Sequence, residues 1–146
     1  MQNTLIRINK LENICDPVIV CNEEHRFITA EQIRDIDIKP KSILLEPLSR
    51  NTAPAVAIAA LNSISNGDDP ILFILPADHQ IKNCEKFLES IKDAQKHVTN
   101  GKIILFGIKP HFPSTAYGYI KINKKHSNGN HIPYQIESFI EKPEKS

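Results

Sequence analysis

The sequence predicts an α/β protein, truncated, built on a mostly parallel sheet with helices on both faces. Three observations carry that expectation. Residues 71–75 (ILFIL) are a run without a polar side chain, and a strand apolar on both faces is one covered by helices on both sides. Further runs at residues 17–21 (PVIVC), 42–45 (SILL) and 102–108 (KIILFGI) alternate with stretches of helical periodicity. That order gives β-α-β units with right-handed crossovers. Residues 117–122 (YGYIKI) and 134–141 (YQIESFIE) alternate apolar and polar side chains, as half-exposed strands do, and these two can pair antiparallel.

The elements are taken in chain order. Residues 1–12 carry Leu5, Ile8 and Leu11 at helical spacing. After the first strand, Asn22 is placed to cap a helix, with Glu23 and Glu24 in the first turn where the helix dipole favours them. That helix is expected to reach about Asp35 and to bury Phe27, Ala30 and Ile33. The second strand ends at Glu46 and Pro47. A polar loop, residues 48–52, leads into a second helix over 53–65 that is apolar nearly all round, hence expected to be deeply buried. A turn at residues 66–70 precedes the 71–75 strand. Asn83 is placed to cap a third helix reaching about Thr99, with Phe87, Leu88, Ile91, Ala94 and Val98 on one face, and Asn100 and Gly101 end it. The fourth strand, 102–108, leads into a Pro-containing loop over 109–116. A polar loop over 123–130, containing Gly129, separates the last two strands.

Bulk properties narrow the function. With 146 residues the chain is long enough for one domain with a core, and 40% hydrophobic and 24% charged residues fit a globular protein. A net charge of +1 advertises no nucleic-acid surface. No apolar stretch approaches the roughly 20 residues of a membrane span, and the first ten residues lack the apolar core of a secretory signal. Three cysteines without CxxC spacing read as reduced thiols in a cytoplasmic protein.

In open α/β sheets ligands bind just beyond the carboxyl ends of the strands. The 71–75 strand empties into Pro76, Ala77, Asp78 and His79. Mg²⁺ takes one or two carboxylates together with substrate phosphates, so Asp78 is a candidate ligand. The plain alternative is a helix cap, for which Asn83 is better placed. His79 fits a structural hydrogen bond as well as a ligand contact. Glu46 stands at another strand end and suits a guanine edge, which offers two N–H donors. Arg50, Asn51, Thr52 and Ala53 lead into a helix N-terminus, where free amides and the dipole favour anions; a capped helix beside a solvated Arg and Glu reads equally well. Gly118, inside a strand pattern, marks either a bulge or a close approach such as a sugar ring. Glu141 suits sugar hydroxyls and Lys142 a phosphate, or the pair is simply a polar strand end stopped by Pro143.

Together these pieces are far more specific. The succession VCNEEHRF, LLEPLSRNTAPAVAIAAL, LPADH, FGIKP, YGYI and FIEKP resembles the mannose-1-phosphate guanylyltransferases, the GDP-mannose pyrophosphorylases of bacterial type, in order and spacing from about Thr4 to Pro143. The resemblance implies a Rossmann-like nucleotide-diphospho-sugar transferase fold, with residues 1–146 as part of one nucleotidyltransferase domain. It implies GTP and α-D-mannose 1-phosphate as substrates, GDP-mannose and pyrophosphate as products, and Mg²⁺ as cofactor. Glu46 and Arg50 to Ala53 resemble the guanosine site, Asp78 the magnesium-binding aspartate, Gly118 the glycine under the sugar, and Glu141 and Lys142 the pair that holds mannose and its phosphate. Asp78 and Lys142 become the expected catalytic residues. All of this expects Asp78 at the carboxyl rim of the sheet, facing Glu46, Gly118 and Glu141 across one cleft.

The departures also shape expectation. The family's opening signature, roughly GGxGTRLWPxSR, does not occur in this sequence, nor does the second magnesium-binding aspartate beyond the EKP motif. Both ends are therefore expected to be cut relative to a longer parent, with little or no turnover by this chain alone. A non-catalytic remnant, or half of a split sugar nucleotidyltransferase, is the alternative; a relative using another base or sugar is a third. Self-association, or pairing with a complementing fragment, is expected from uncovered apolar surface.

Overall fold

The computed structural model describes residues 1–48, 50–98, 101–123 and 133–143. It is an α/β chain of two compact units, Met1–Leu88 and Glu89–Ser146. Ser49, Thr99, Asn100 and most of the expected 123–130 loop lie outside the described residues.

In the first unit α1 covers Gln2–Ile8, shorter than the expected 1–12, and buries Thr4, Leu5 and Arg7. Strand β1 is Val18–Asn22. Asn22 caps the segment after β1 as expected, its side chain accepting from the Glu24 amide at 2.9 Å, but that segment is a 3₁₀ turn, Glu23–His25. Helix α2 (Arg26–Arg34) continues from it and buries Ile33. Phe27, expected inside, is 73% exposed, with the Arg26 guanidinium 4.5 Å from its ring centre. The 3₁₀ turn uses residues 23–25, so α2 starts later than a cap at Asn22 implies, and Phe27 sits in its solvated first turn. Strand β2 (Ser42–Glu46) pairs parallel with β1, Val18 against Ser42 through to Asn22 against Glu46. This is the expected β-α-β order.

Helix α3 (Thr52–Ile64) forms where its Ala-rich sequence predicts. Its expected deep burial does not occur: Ile58, Leu61 and Ile64 are exposed, and the buried residue is Ser63. A helix apolar all round needs cover on every side, and α3 packs on β1 and β2 from one side. Ser42 Oγ, at the start of β2, lies 3.1 Å from Asn62 Oδ1 near its far end.

The 71–75 run corrects the boldest expectation. Residues 71–76 carry no regular secondary structure, and Ile71, Leu72 and Ile74 are exposed. Apolarity reports suitability for a central position, but a strand exists only where a neighbour completes its backbone ladder. Among the described residues the parallel sheet has two strands, β1 and β2. The same holds for 102–108, which is irregular, with Ile103 and Ile108 exposed. Phe73 instead packs its ring 6.1 Å from that of Phe87 on α4 (Cys84–Gln95). Asn83 caps α4 as expected, accepting from the Lys86 amide at 3.0 Å.

In the second unit β3 (Tyr119–Asn123) and β4 (Gln135–Ile140) pair antiparallel, as the alternation predicts, with an irregularity between Lys121 and Ile122. The three cysteines are free thiols. Among the described residues no helix is long and apolar enough to cross a membrane.

Candidate functional site

Parallel pairing brings Asn22 and Glu46 side by side at the carboxyl ends of β1 and β2, the edge where open α/β sheets bind ligands. Glu46 is half-buried there. The chain then turns through Pro47, and Arg50 is exposed. Asn51 enters α3 with φ 65° and ψ −162°, a backbone region open almost only to glycine and costing a side-chain-bearing residue about 1–3 kcal/mol. It makes no side-chain cap, and α3 has no acidic residue in its first turn. Among the described residues, the amides that open α3 around Thr52 and Ala53 meet no side-chain acceptor from this turn, a setting that suits an anion. Glu46 ends β2, and Arg50 and Asn51 lead into α3, whose first residues are Thr52 and Ala53.

Asp78 lies in a turn at residues 77–78 and is exposed. Sequence reasoning missed what holds that turn. Thr4 Oγ1 donates to the Ala77 carbonyl at 3.3 Å, and the Arg7 guanidinium donates through Nη2 to the His79 carbonyl at 3.1 Å. Both donors come from α1 and are buried, at 5% and 7% exposure. The peptide before Asp78 and the peptide after His79 are therefore tied to one helix face. The Arg7 guanidinium also stands 5.7 Å from the Phe87 ring centre. A signal was present: on a helical wheel Thr4, Arg7, Ile8 and Leu11 fall within about 100° of one another, so a threonine and an arginine share the stripe of the apolar residues. What the fold uses of His79 is its carbonyl, which favours the structural reading of that residue.

In the second unit the register of Tyr119 against Ile140, continued by one residue, sets Gly118 opposite Glu141. A Cβ on Gly118 would overlap the Phe139 ring and come within 2.9 Å of Glu141 Oε2. The close approach expected at this glycine is thus real, and its immediate neighbours are Phe139 and Glu141. Lys142 Nζ lies 3.8 Å from Glu141 Oε1, both side chains well exposed. Lys142 has φ 41°, left-handed backbone uncommon for a long side chain. Tyr119 steadies the loop ahead of Gly118: its hydroxyl accepts from the Ser114 amide at 2.7 Å and donates to the Ser114 carbonyl at 2.9 Å. Phe139 and Tyr119 lie inside the FIEKP and YGYI motifs, but sequence alone assigns neither of them a role.

Glu46, Arg50, Asn51, Thr52, Ala53 and Asp78 belong to the first unit, and Gly118, Glu141 and Lys142 to the second. Among the described residues no group of three or more His, Cys, Asp or Glu side chains is gathered as a metal cage. Asp78 is a single exposed carboxylate, which matches a hard cation held mainly by water and phosphate.

Comparison with known proteins gives a consistent result. The nucleotidyl transferase family profile matches residues 1–146. The chain is 44% identical over 145 residues to the mannose-1-phosphate guanylyltransferase of Klebsiella pneumoniae, covering 99% of this chain and 31% of that protein. It is 43% identical to the Escherichia coli protein of the same name, with the same coverage. It is also 46% identical over 128 residues to the xanthan biosynthesis protein XanB of Xanthomonas campestris, covering 88% of this chain and 26% of that protein. The chain spans about 30% of the length of the curated relatives it matches. No solved structure matches it.

Proposed function

The chain belongs to the nucleotidyl transferase family, and from that premise we propose that it forms part of the site of a mannose-1-phosphate guanylyltransferase. In the proposed reaction a phosphate oxygen of α-D-mannose 1-phosphate attacks the α-phosphorus of GTP. A new P–O bond forms as the bond from the α-phosphorus to the bridging oxygen breaks, giving GDP-mannose and pyrophosphate. The work of the protein in such a transfer is to position two anions and offset their charge.

One observation carries this reading. A half-buried carboxylate, Glu46, ends a parallel strand, and the chain runs from it into an α3 N-terminus without a side-chain cap or an acid in its first turn. Glu46 accepts the N1–H and N2–H₂ donors of guanine, a pair that adenine lacks. Arg50 and the amides around Thr52 and Ala53 receive phosphate or ribose oxygens, with Asn51 holding the loop that presents them. Asp78 contributes one oxygen to a divalent cation, Mg²⁺, whose chemistry when bound is to neutralise phosphate charge. Glu141 accepts from sugar hydroxyls beside Gly118, and Lys142 faces the sugar phosphate. Identity to mannose-1-phosphate guanylyltransferases over nearly the whole chain supports GTP and mannose 1-phosphate as the substrates. Likeness to a xanthan biosynthesis protein supports a place in polysaccharide synthesis, with the cytoplasm as the compartment.

The test is nucleotide selectivity. Titration calorimetry of the chain with GTP and with ATP should show a preference for GTP. Glu46→Gln should weaken GTP by about 10-fold, since a charged acceptor for two donors becomes a neutral one, and should leave ATP unchanged. Equal affinities for the two nucleotides, or a Glu46→Gln variant that keeps the GTP preference, would overturn the guanine reading.

A further inference from the structure

We propose that Arg7 is a positioning residue for the Asp78 carboxylate. It acts through the backbone of the 77–79 turn and not by touching a ligand, and the proposal rests on the reading of Asp78 as a cation ligand. The argument starts from burial. Arg7 is 7% exposed, and its Nη1 is buried without a hydrogen-bond partner among the described residues. A buried arginine is costly unless its donors are used, so its retention on the apolar stripe of α1 asks what it does there.

Its bonds give the answer. Nη2 donates to the His79 carbonyl at 3.1 Å, and the guanidinium faces the Phe87 ring at 5.7 Å. One turn earlier on the same face, Thr4 Oγ1 donates to the Ala77 carbonyl at 3.3 Å. The two anchored carbonyls bracket Asp78, and Asp78 itself is exposed. With the 77–78 and 79–80 peptides tied to α1, the backbone freedom of the segment between them, Asp78 and His79, is narrowed while the Asp78 side chain stays in solvent. That is how a lone carboxylate is made a directional ligand without a second carboxylate beside it. Phe87, beside the guanidinium, in turn packs on Phe73, which leads into the same turn. The bracing is thus closed on itself within the first unit. Partners that orient a metal ligand commonly change affinity by about 10-fold or more when removed, although they never touch the metal.

The experiment uses two independent readouts on the full chain. Backbone order parameters at residues 77–80, from ¹⁵N relaxation, read the bracing. Mn²⁺ titration, followed by the electron paramagnetic resonance signal of the free ion, reads the cation site. Arg7→Met keeps the packing against Phe87 and removes the donors. It should lower the order parameters at 77–80 relative to β1 and β2, and weaken Mn²⁺ by about 10-fold. Arg7→Lys restores one donor and should recover part of both effects. Thr4→Val removes one donor with little change in volume and should act in the same direction more weakly; it serves if Arg7→Met does not fold. Asp78→Asn tests the underlying reading by itself and should abolish specific Mn²⁺ binding with the order parameters at 77–80 unchanged. If Asp78→Asn binds Mn²⁺ as the parent chain does, the cation reading falls, and so does the purpose assigned to Arg7, even where the order parameters still report bracing. If Asp78→Asn loses Mn²⁺ while Arg7→Met and Thr4→Val leave both order parameters and affinity unchanged, the positioning role is overturned and the cation reading stands.

Discussion

The Asp78 turn and the Gly118–Glu141 corner are the two places where candidate ligands meet close packing, and they are built in opposite ways. The turn is fixed by two side chains from α1, 73 and 72 residues away in sequence, at 5% and 7% exposure. The corner is made by neighbours across one antiparallel ladder, with Phe139 57% exposed and Glu141 61% exposed at its side chain. A carboxylate that meets a cation gains from a backbone fixed by distant anchors, since direction matters for a hard ion. The corner proposed for a sugar can use side chains free to rotate in solvent. At these two places burial tracks sequence distance: the contact that is costlier to close is also the more buried.

The largest effect that can break this comparison is expected at Leu5. It is 5% exposed on α1, beside both anchors. Leu5→Ala should cost about 2–3 kcal/mol, the lower part of the range for buried leucines because the surrounding core is small. It should loosen the 77–79 turn along with α1. Urea unfolding gives the first quantity and ¹⁵N relaxation order parameters at 77–79 the second. A destabilised chain whose turn keeps its order parameters would mean that the turn is held by something other than α1.

Gly118→Ala comes next. The new methyl meets the far ends of two exposed side chains, the Phe139 ring and Glu141 Oε2, and both can swing aside. The cost should therefore be about 1 kcal/mol, the size of an off-rotamer adjustment, rather than that of a backbone clash. Glu141 is displaced in the process, so binding of mannose 1-phosphate should suffer more than stability. Adding Phe139→Ala to Gly118→Ala should recover most of the stability in a thermal melt and little of the binding. Recovery of both would remove Glu141 from the sugar site; recovery of neither would show that backbone, not side chains, sets the limit at Gly118.

The same contrast explains what could be read from residues alone. The order β1–α2–β2–α3, the Asn22 and Asn83 caps and the β3–β4 alternation are local, carried by propensity and period within a few residues. They were legible for that reason. The runs at 71–75 and 102–108 were not, because strandhood depends on a neighbouring ladder that no local pattern reports. The burial of α3 failed likewise: apolarity all round states a requirement for cover and says nothing of whether cover exists. In the candidate site, Glu46 at the strand end came from pattern, whereas Gly118 opposite Glu141 needed the register of β3 and β4. Thr4 and Arg7 escaped because their meaning lies in carbonyls more than seventy residues downstream, with only their place in an apolar stripe to betray them. Ile71 and Ile108 are exposed for the same reason: among the described residues, no ladder draws either run into a sheet.

The smallest expected effect sharpens the comparison from the charged side. Lys121 Nζ and Glu137 Oε1 are 2.9 Å apart across β3 and β4, with side chains 58% and 50% exposed. The geometry is as short as that of the bond Arg7 makes to His79, so distance alone would rank the two contacts together. Exposure separates them. In water the ion pair exchanges one good solvation for another, and Lys121→Ala should cost about 0.5 kcal/mol or less. Even that should fade in ~1 M salt, where the screening length falls to about 3 Å. The Arg7 contact, shielded from ions, should keep its full effect on the urea midpoint in the same buffer. A Lys121→Ala penalty that persists undiminished at high salt would place this pair in a drier setting than its exposure implies, and exposure would no longer separate the two contacts.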